Sequence, residues 1–495
     1  MRPFYPPFCC APGGFLLVFS LAAGQFLPAG AASLDRKLTT TEATHHVLSR
    51  LAFGARPGQH SQVARSGWKS WAATQLEPSQ IDDTVLEQRL EKECPSLKHS
   101  LAQLEGLAKT GDRTERRQAR ERIKNELRTA VLLRAVYSER QFQEVIVEFW
   151  RNHFNVDVNK VPFLATHFEE HAIREHAFGK FEDLLLATAK HPAMLVYLDN
   201  YVSTRQGVNE NYARELMELH TLGVDNGYAQ SDVVALAHVL TGWTCGWQSR
   251  SGSERDYSFF FNVKGHDSSA ASVVGLSLSG KDGLADGEAA IRHLARHENT
   301  SRFISSKLCR YLVSDSPTPE LVERIAAVFR QNEGNLREVY RAIILDPEFT
   351  TERAFRSKVK TPFEFVVSVL RMTAAEIKSP DKIFKELQLM GEPIYECVEP
   401  TGYSDAREAW LDPGVMVYRW NFAIALVTGK LAGVAGGAEF VDPVINAPPQ
   451  ARPHKVMELL LPGLIDRKLE QLLAVNADPR AMTAYALGSP SFQQQ

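Results

Sequence analysis

Charge of one sign is the first thing this sequence lacks. Its 56 Lys and Arg stand against 59 Asp and Glu, a formal net charge of −3, so no global basic field draws in nucleic acid or acidic membranes. The glycine signatures of phosphate and acyl chemistry are missing too. With no Gly-x-Gly-x-x-Gly, P-loop or Gly-x-Ser-x-Gly elbow in the chain, dinucleotide, nucleotide and serine-hydrolase readings have no positive support. Cysteine is scarce, six in 495 residues and never as Cys-x-x-Cys, which argues against a thiolate zinc site or a redox motif. The apolar run from Phe15 to Leu27 is too short to span a bilayer comfortably.

That run does carry an address. Arg2 precedes it, and Pro28-Ala29-Gly30-Ala31-Ala32 follows as an Ala-x-Ala cleavage site. Residues 1–31 thus read as a Sec-type signal peptide without a twin arginine. The expectation is an exported chain, periplasmic or extracellular, with no transmembrane anchor after processing. Cys9 and Cys10 precede the run, where a lipoprotein cysteine would follow it. The processed chain keeps Cys94, Cys245, Cys309 and Cys397, and an oxidising compartment leaves both disulfides and buried thiols open.

At 44% hydrophobic and 23% charged, the full chain has the composition of a globular protein with room for two or three packed lobes. Thr39-Thr40-Thr41-Glu42 reads as a capping box whose helix runs to Gly54. Asp112 to Arg128 holds seven basic and four acidic residues, with Arg117/Glu121 and Arg122/Glu126 at helical spacing. Because the acids interleave and aromatics do not, it reads as a solvated helix rather than a nucleic-acid groove. Ala130 to Phe154 continues as one long helix, and Ser231 caps another. Tyr257–Val263 and Ser272–Leu278 read as the two strands of a β-hairpin joined through Gly265-His266-Asp267. Thr318-Pro319 and Thr361-Pro362-Phe363-Glu364 start further helices. The fold class is mainly α, a large multi-helix body with a small β-hairpin insert. The expected layout is a signal peptide (1–31), an N-terminal helical lobe (32–247), the insert (248–285) and a C-terminal helical lobe (286–428). A Gly/Ala/Pro-rich connector (429–450) and a C-terminal helix and tail (451–495) complete it.

Polar chemistry concentrates between Glu148 and Asp267, where eight of the fifteen histidines fall. On the Asn209–His220 helix, Asn211, Arg214, Glu215 and Glu218 share one face and Tyr212, Leu216 and Leu219 the other. Such a stripe faces either water or a polar pocket. His167-Phe168-Glu169-Glu170-His171 formally matches the H-x-x-E-H pattern of inverted zinc proteases, without the surrounding context that would give the match meaning. His153 lies on an apolar face, where a histidine is usually a hydrogen-bonded core residue. His266-Asp267 sits on a loop, and loops carry function more often than packing.

Several longer motifs carry a resemblance. Phe149-Trp150-Arg151-Asn152-His153-Phe154, Asn209-Glu210-Asn211-Tyr212-Ala213-Arg214-Glu215-Leu216, Leu240-Thr241-Gly242-Trp243 and His266-Asp267 occur in order. Pro192-Ala193-Met194, Tyr197-Leu198-Asp199 and Lys358-Val359-Lys360-Thr361-Pro362 join them. Over nearly all of residues 40–490 the chain resembles the bacterial family called domain of unknown function 1800. The resemblance implies an exported protein, often encoded beside exported proteins of the domain-of-unknown-function family 1501, and no established reaction. His167, His171 and His220 depart from the family pattern, whereas Glu169, Arg174, His176, Glu210, Arg214, Glu215, His266 and Asp267 fit it.

Two functional classes follow. One is a partner or scaffold acting with another exported protein. The other is a metal-assisted hydrolase, with Glu169, Arg174, Glu210, Arg214, Glu215, His266 and Asp267 as catalytic candidates. His153, Glu215, His266 and Asp267 are its candidate ligands for a divalent metal. The sharpest structural expectation is that the Asn209–Glu218 stripe turns inward, toward Glu169, Arg174 and the His266-Asp267 loop.

Overall fold

Helix starts follow the capping chemistry closely. Thr39, Asp112 and Thr361 each accept from the backbone N–H three residues on, and Glu42, Glu115 and Glu364 reach back to the cap. The first helix, Thr40–Arg50, ends before the expected Gly54, which does take a left-handed φ of 87°. A computed structural model describes residues 36–246 and 257–495. The expected signal peptide and the Gln248–Asp256 stretch lie outside the described residues.

The expected long helix over 130–154 is two. Arg113–Tyr137 stops at Ser138, and Gln141–His153 begins after a short break. Asp83 makes the break: its carboxylate accepts from Ser138 Oγ at 2.6 Å and from the Glu139 N–H at 3.0 Å, giving these groups partners outside a helix. On the charged helix, Glu121 pairs with Lys124 at 3.0 Å, and Arg122 lies 3.8 Å from Glu126. The helix Gln230–Val239 is capped by Asp232, which accepts from the Ala229 N–H at 2.8 Å, and not by Ser231.

The protein is mainly α with small hairpins, but the expected strands do not pair with each other. Phe259–Phe261 pairs antiparallel with Trp243–Cys245, while Ala271–Val273 pairs with Leu276–Leu278. The run read as one strand, Ser272–Leu278, folds back on itself because Val274 and Gly275 both take positive φ, 46° and 79°. Two such residues make the tight turn that matches strand twist. A third two-stranded pair joins Glu376–Ile377 to Val434–Ala435.

One continuous hydrophobic core runs from Val47 to Phe492. It wraps the Gln141–His153 helix, whose Phe142, Ile146, Phe149 and Trp150 are buried. Among the described residues no helix is long and apolar enough to cross a membrane.

Candidate functional site

The Gln141–His153 helix is buried over most of its surface, yet Glu144, Glu148 and Arg151 occur at i, i+4 and i+7 and so share a face. Facing them is a wide π-turn, Phe168–Arg174, that carries Glu169, Glu170 and Arg174. Such turns interrupt regular helices most often where side chains must be re-aimed.

The groups meet inside the protein. Arg174 grips Glu144 with two hydrogen bonds of 2.8 and 2.7 Å and reaches Glu169 at 3.9 Å. Arg151 lies 2.7 Å from Glu148 and 3.4 Å from Glu169. Tyr395 donates its hydroxyl to Glu169 at 2.6 Å. Arg134 takes Glu170 at 2.5 and 3.0 Å. Glu169 is completely buried, so these neighbours take the place of water around its carboxylate.

The electrostatics follow from the pairing. Burial raises Glu144, but Arg174 more than offsets it and holds the carboxyl below its ordinary range. Glu148 goes the other way, since burial and Glu169 outweigh Arg151. Arg151 and Arg174 are both held above their ordinary values by carboxylates that overcome desolvation.

A cover closes this cluster. Asn152 makes a two-way clamp on the Tyr403 backbone, donating to its carbonyl at 2.8 Å and accepting its N–H at 2.7 Å. Asn155 donates to the carbonyls of Cys397 and Glu399 at 3.0 and 2.8 Å. Gly402 has φ 73°, and a Cβ there would lie 2.4 Å from the Asn152 carbonyl oxygen, so the close approach requires glycine. Between the cover and the cluster lies a part-open pocket of about 20 Å³ whose walls include Glu148, Arg151, Glu392, Tyr395 and Tyr403. Glu392 accepts the Phe363 N–H at 2.7 Å, but burial pushes it up to about 8. It is therefore an acid at neutral pH. Two carboxyls with raised values beside an arginine are acid–base equipment. The pocket, however, has room for about one water.

Of the residues expected from the sequence, only Glu169 and Arg174 belong to this cluster. The Asn209–Glu218 stripe faces outward, which corrects the expectation that it turns inward. Arg214 reaches Glu210 at 3.3 Å, Glu218 at 3.4 Å and Gln230 at 2.9 Å, with the Arg214 and Glu210 side chains 37% and 42% exposed. The reason is the other face: Tyr212, Ala213, Leu216 and Met217 are all within 1% of complete burial, and the helix gives that face to the core. Glu215 is shifted up by partial burial and Glu218, with Arg214 opposing.

The proposed metal ligands are not brought together. Among the described residues no three His, Cys, Asp or Glu side chains converge as a metal site. His153 is packed among Phe149, Trp150 and Phe154, donates through Nε2 to the His220 carbonyl at 3.3 Å and accepts from Lys307 Nζ at 3.0 Å. Burial drives its protonation far below the usual range. His266 donates from Nδ1 to the Thr241 carbonyl at 2.9 Å. Asp267 accepts from His238 at 2.6 Å and from the Ser269 N–H at 3.0 Å, and Ser269 followed by His238 pulls it down to about 2. This loop is pinned on Gly242, where φ is 80° and a Cβ would meet the Asn262 carbonyl at 2.6 Å.

The zinc-protease pattern dissolves in the same way. Glu170 is held by Arg134, and His171 pairs with Glu175 at 2.7 Å. His191 accepts the Ala193 N–H on Nδ1, so its Nε2 proton goes to His167 Nδ1 at 2.9 Å. Cys94, Cys309 and Cys397 are buried thiols, pushed up by desolvation.

Sequence reasoning missed Glu144, Arg151, Glu392, Tyr395 and Tyr403. The first two had a signal, charges at helical spacing beside the apolar Phe142, Val145, Ile146 and Phe149. The others had none, because they reach the cluster from a loop more than 200 residues away in sequence, Tyr395 being 226 residues from Glu169.

Fold and site together define a mainly α protein built around a covered, internally paired charge cluster. The family described as Protein of unknown function (DUF1800) matches residues 46–494, and the chain belongs to that family. No curated protein and no solved structure matches it.

Proposed function

We propose that this protein is an exported partner or scaffold that acts with a second exported protein, one of the domain-of-unknown-function family 1501. Export rests on the Phe15–Leu27 run and its Ala-x-Ala site. The partner role rests on one surface. Helices Pro413–Val427, Arg467–Ala474 and Pro479–Gly488 border an apolar groove of about 560 Å³ whose walls include Trp420, Leu472, Val475 and Tyr485. Leu472 is 68% and Val475 84% exposed, and Val417 and Ile424 extend the same face beside Trp420. Contiguous exposed apolar surface of this kind marks an interaction site.

The occupant that fits is an amphipathic helix of the partner, its apolar side chains in the groove and an acidic residue at the rim. Lys468 stands exposed at that rim and has no ion pair among the described residues. The charged cluster serves the same reading as a rigid internal strut, since its groups are committed to one another. A metal-assisted hydrolase has no comparable support, because Glu169 and Arg174 belong to one network and His266 and Asp267 to another.

The test is co-expression with the neighbour-encoded exported protein, followed by size-exclusion chromatography with light scattering. A complex is expected, weakened about tenfold or more by Leu472→Asp or Val475→Asp, as for a central apolar anchor. Failure of the two wild-type proteins to associate at micromolar concentration overturns the reading.

A further inference from the structure

A second feature stands apart from both the charge cluster and the groove. Lys358-Val359-Lys360 runs as an extended segment against the C-terminus: Lys358 exchanges backbone hydrogen bonds with Gln495, at 3.2 and 2.9 Å, and the Lys360 N–H donates to Gln493 at 2.8 Å. The segment leads into the Thr361 cap, and it carries Lys360 inward, only 6% exposed.

Buried lysines normally find an acceptor, because an unpaired ammonium is expensive away from water. Lys358 does so with Asp315 and the Asp405 carbonyl, and Lys307 does so with His153. Lys360 does not. Among the described residues nothing hydrogen-bonds its Nζ, which sits 4.0 Å over the face of Phe492. It lines a gap of about 20 Å³ together with His45, His60, Ser368 and Pro462. That gap shares Ala55, His60, Met372, Leu461 and Pro462 with an open cleft of about 620 Å³. A gap of this size has room for about one water, or one small functional group.

We infer that Lys360 is an amine nucleophile for small aldehydes, the carbonyl group entering the gap beside Phe492 and any substituent lying toward the cleft.

The surroundings supply the activation such a lysine needs. Burial lowers its protonation to about 7; Glu364 opposes that shift, and Arg419 and Arg356 add to it. Glu364 is itself occupied by the Thr361 N–H and by Gln495. His45, held down to about 3 by burial, and His60, also lowered by burial, are neutral imidazoles at pH 7 and bring no competing charge. At neutral pH a large share of Lys360 is therefore free amine. Its lone pair attacks the carbonyl carbon, the C=O π bond opens, and one N–H proton passes to the alkoxide oxygen to give a carbinolamine. The nitrogen's second proton and the hydroxyl then leave as water, giving the imine. No oxidant or further reactant is required.

The experiment is reductive methylation of the wild-type protein with formaldehyde and cyanoborohydride, the hydride trapping the imine as a stable secondary amine. Peptide mapping by mass spectrometry gives the rate at each lysine. At pH 7, Lys360 is expected to label at least about tenfold faster than Lys378, whose side chain is 63% exposed, because so little of an ordinary lysine is neutral there. The Lys360 rate should level off above its midpoint near 7 while that of Lys378 keeps rising with pH. Labelling of Lys360 no faster than Lys378 in the folded protein, or a Lys360 rate still climbing in step with Lys378 at pH 9, overturns the inference. Only wild-type protein is used, so misfolding of a variant cannot blur the result.

Discussion

Two stripes in this protein look alike in sequence and end in opposite environments. Glu144, Glu148 and Arg151 on the Gln141–His153 helix, and Glu210, Arg214 and Glu218 on the Asn209–His220 stretch, each put acids and an arginine on one helical face. The first is largely buried, Glu144 and Arg151 being 5% and 8% exposed and the Glu148 side chain 20%. The second lies at the surface with Arg214 shared loosely among three acceptors, the ion pairs being 3.3 and 3.4 Å long. What differs is the opposite wall. The inner stripe meets Glu169, Arg174 and Tyr395 from other segments, whereas the outer stripe meets Gln230 and the part-exposed Tyr228. A polar face is buried when the rest of the chain supplies matching charges, and not because of its own pattern.

The comparison breaks most visibly at Arg174. Arg174→Ala leaves Glu144 without its guanidinium and Glu169 with Arg151 alone, and loss of one partner of a buried pair costs about 3–5 kcal/mol. Urea denaturation should show that loss, and the Arg174→Ala/Glu144→Ala double variant should lose less than the sum of the singles. Additive losses would mean that the two residues are not a coupled pair.

Next comes Glu392, whose folded value lies near 8 and so well above an unfolded glutamate. In the window between those values the native state holds a proton that the unfolded state has released. The stabilisation from the protonated acid is thus complete below about pH 4 and declines as pH rises through 8, with a slope of up to about 1.4 kcal/mol per pH unit. Glu392→Gln should flatten that decline between pH 5 and 8, measured as melting temperature against pH. An unchanged slope would place the acid's titration elsewhere.

Gly402→Ala attacks the cover rather than the charges. The positive φ and the contact with Asn152 predict a loss of about 1–3 kcal/mol. Faster hydrogen exchange over 393–403 should accompany it, and an unaltered exchange pattern would show that the cover is held elsewhere.

The smallest effect belongs to the outer stripe. Arg214→Ala should stay within about 0.5 kcal/mol, as expected for a surface position, and what little it loses should fade in high salt. A loss as large as that of Arg174→Ala would erase the distinction between the two stripes.

How much was legible beforehand divides along the same line. Thr39, Thr318 and Thr361 announced their helices because a cap is a contract between a side chain and a backbone N–H two or three residues on. The mainly α class and the family membership were readable too, the latter from motifs such as Phe149–Phe154 and Lys358–Pro362 that now prove to hold the cover and the Lys360 segment. The hairpin partners were not, since pairing depended on the left-handed turn at Val274–Gly275 and on Trp243–Cys245 lying alongside Phe259–Phe261.

Local pattern by itself determined where helices begin and which residues share a face. Only the tertiary structure decided that Glu169 and Arg174 sit inside while Glu210, Arg214 and Glu215 remain at the surface, and that Lys360 lacks an acceptor among the described residues where Lys358 has one. The physical reason is range. Caps and periodicity act over a few residues along the chain, whereas burial and the pairing of charge are set by whatever distant segment lies across the gap, and Tyr395 reaches Glu169 from 226 residues away.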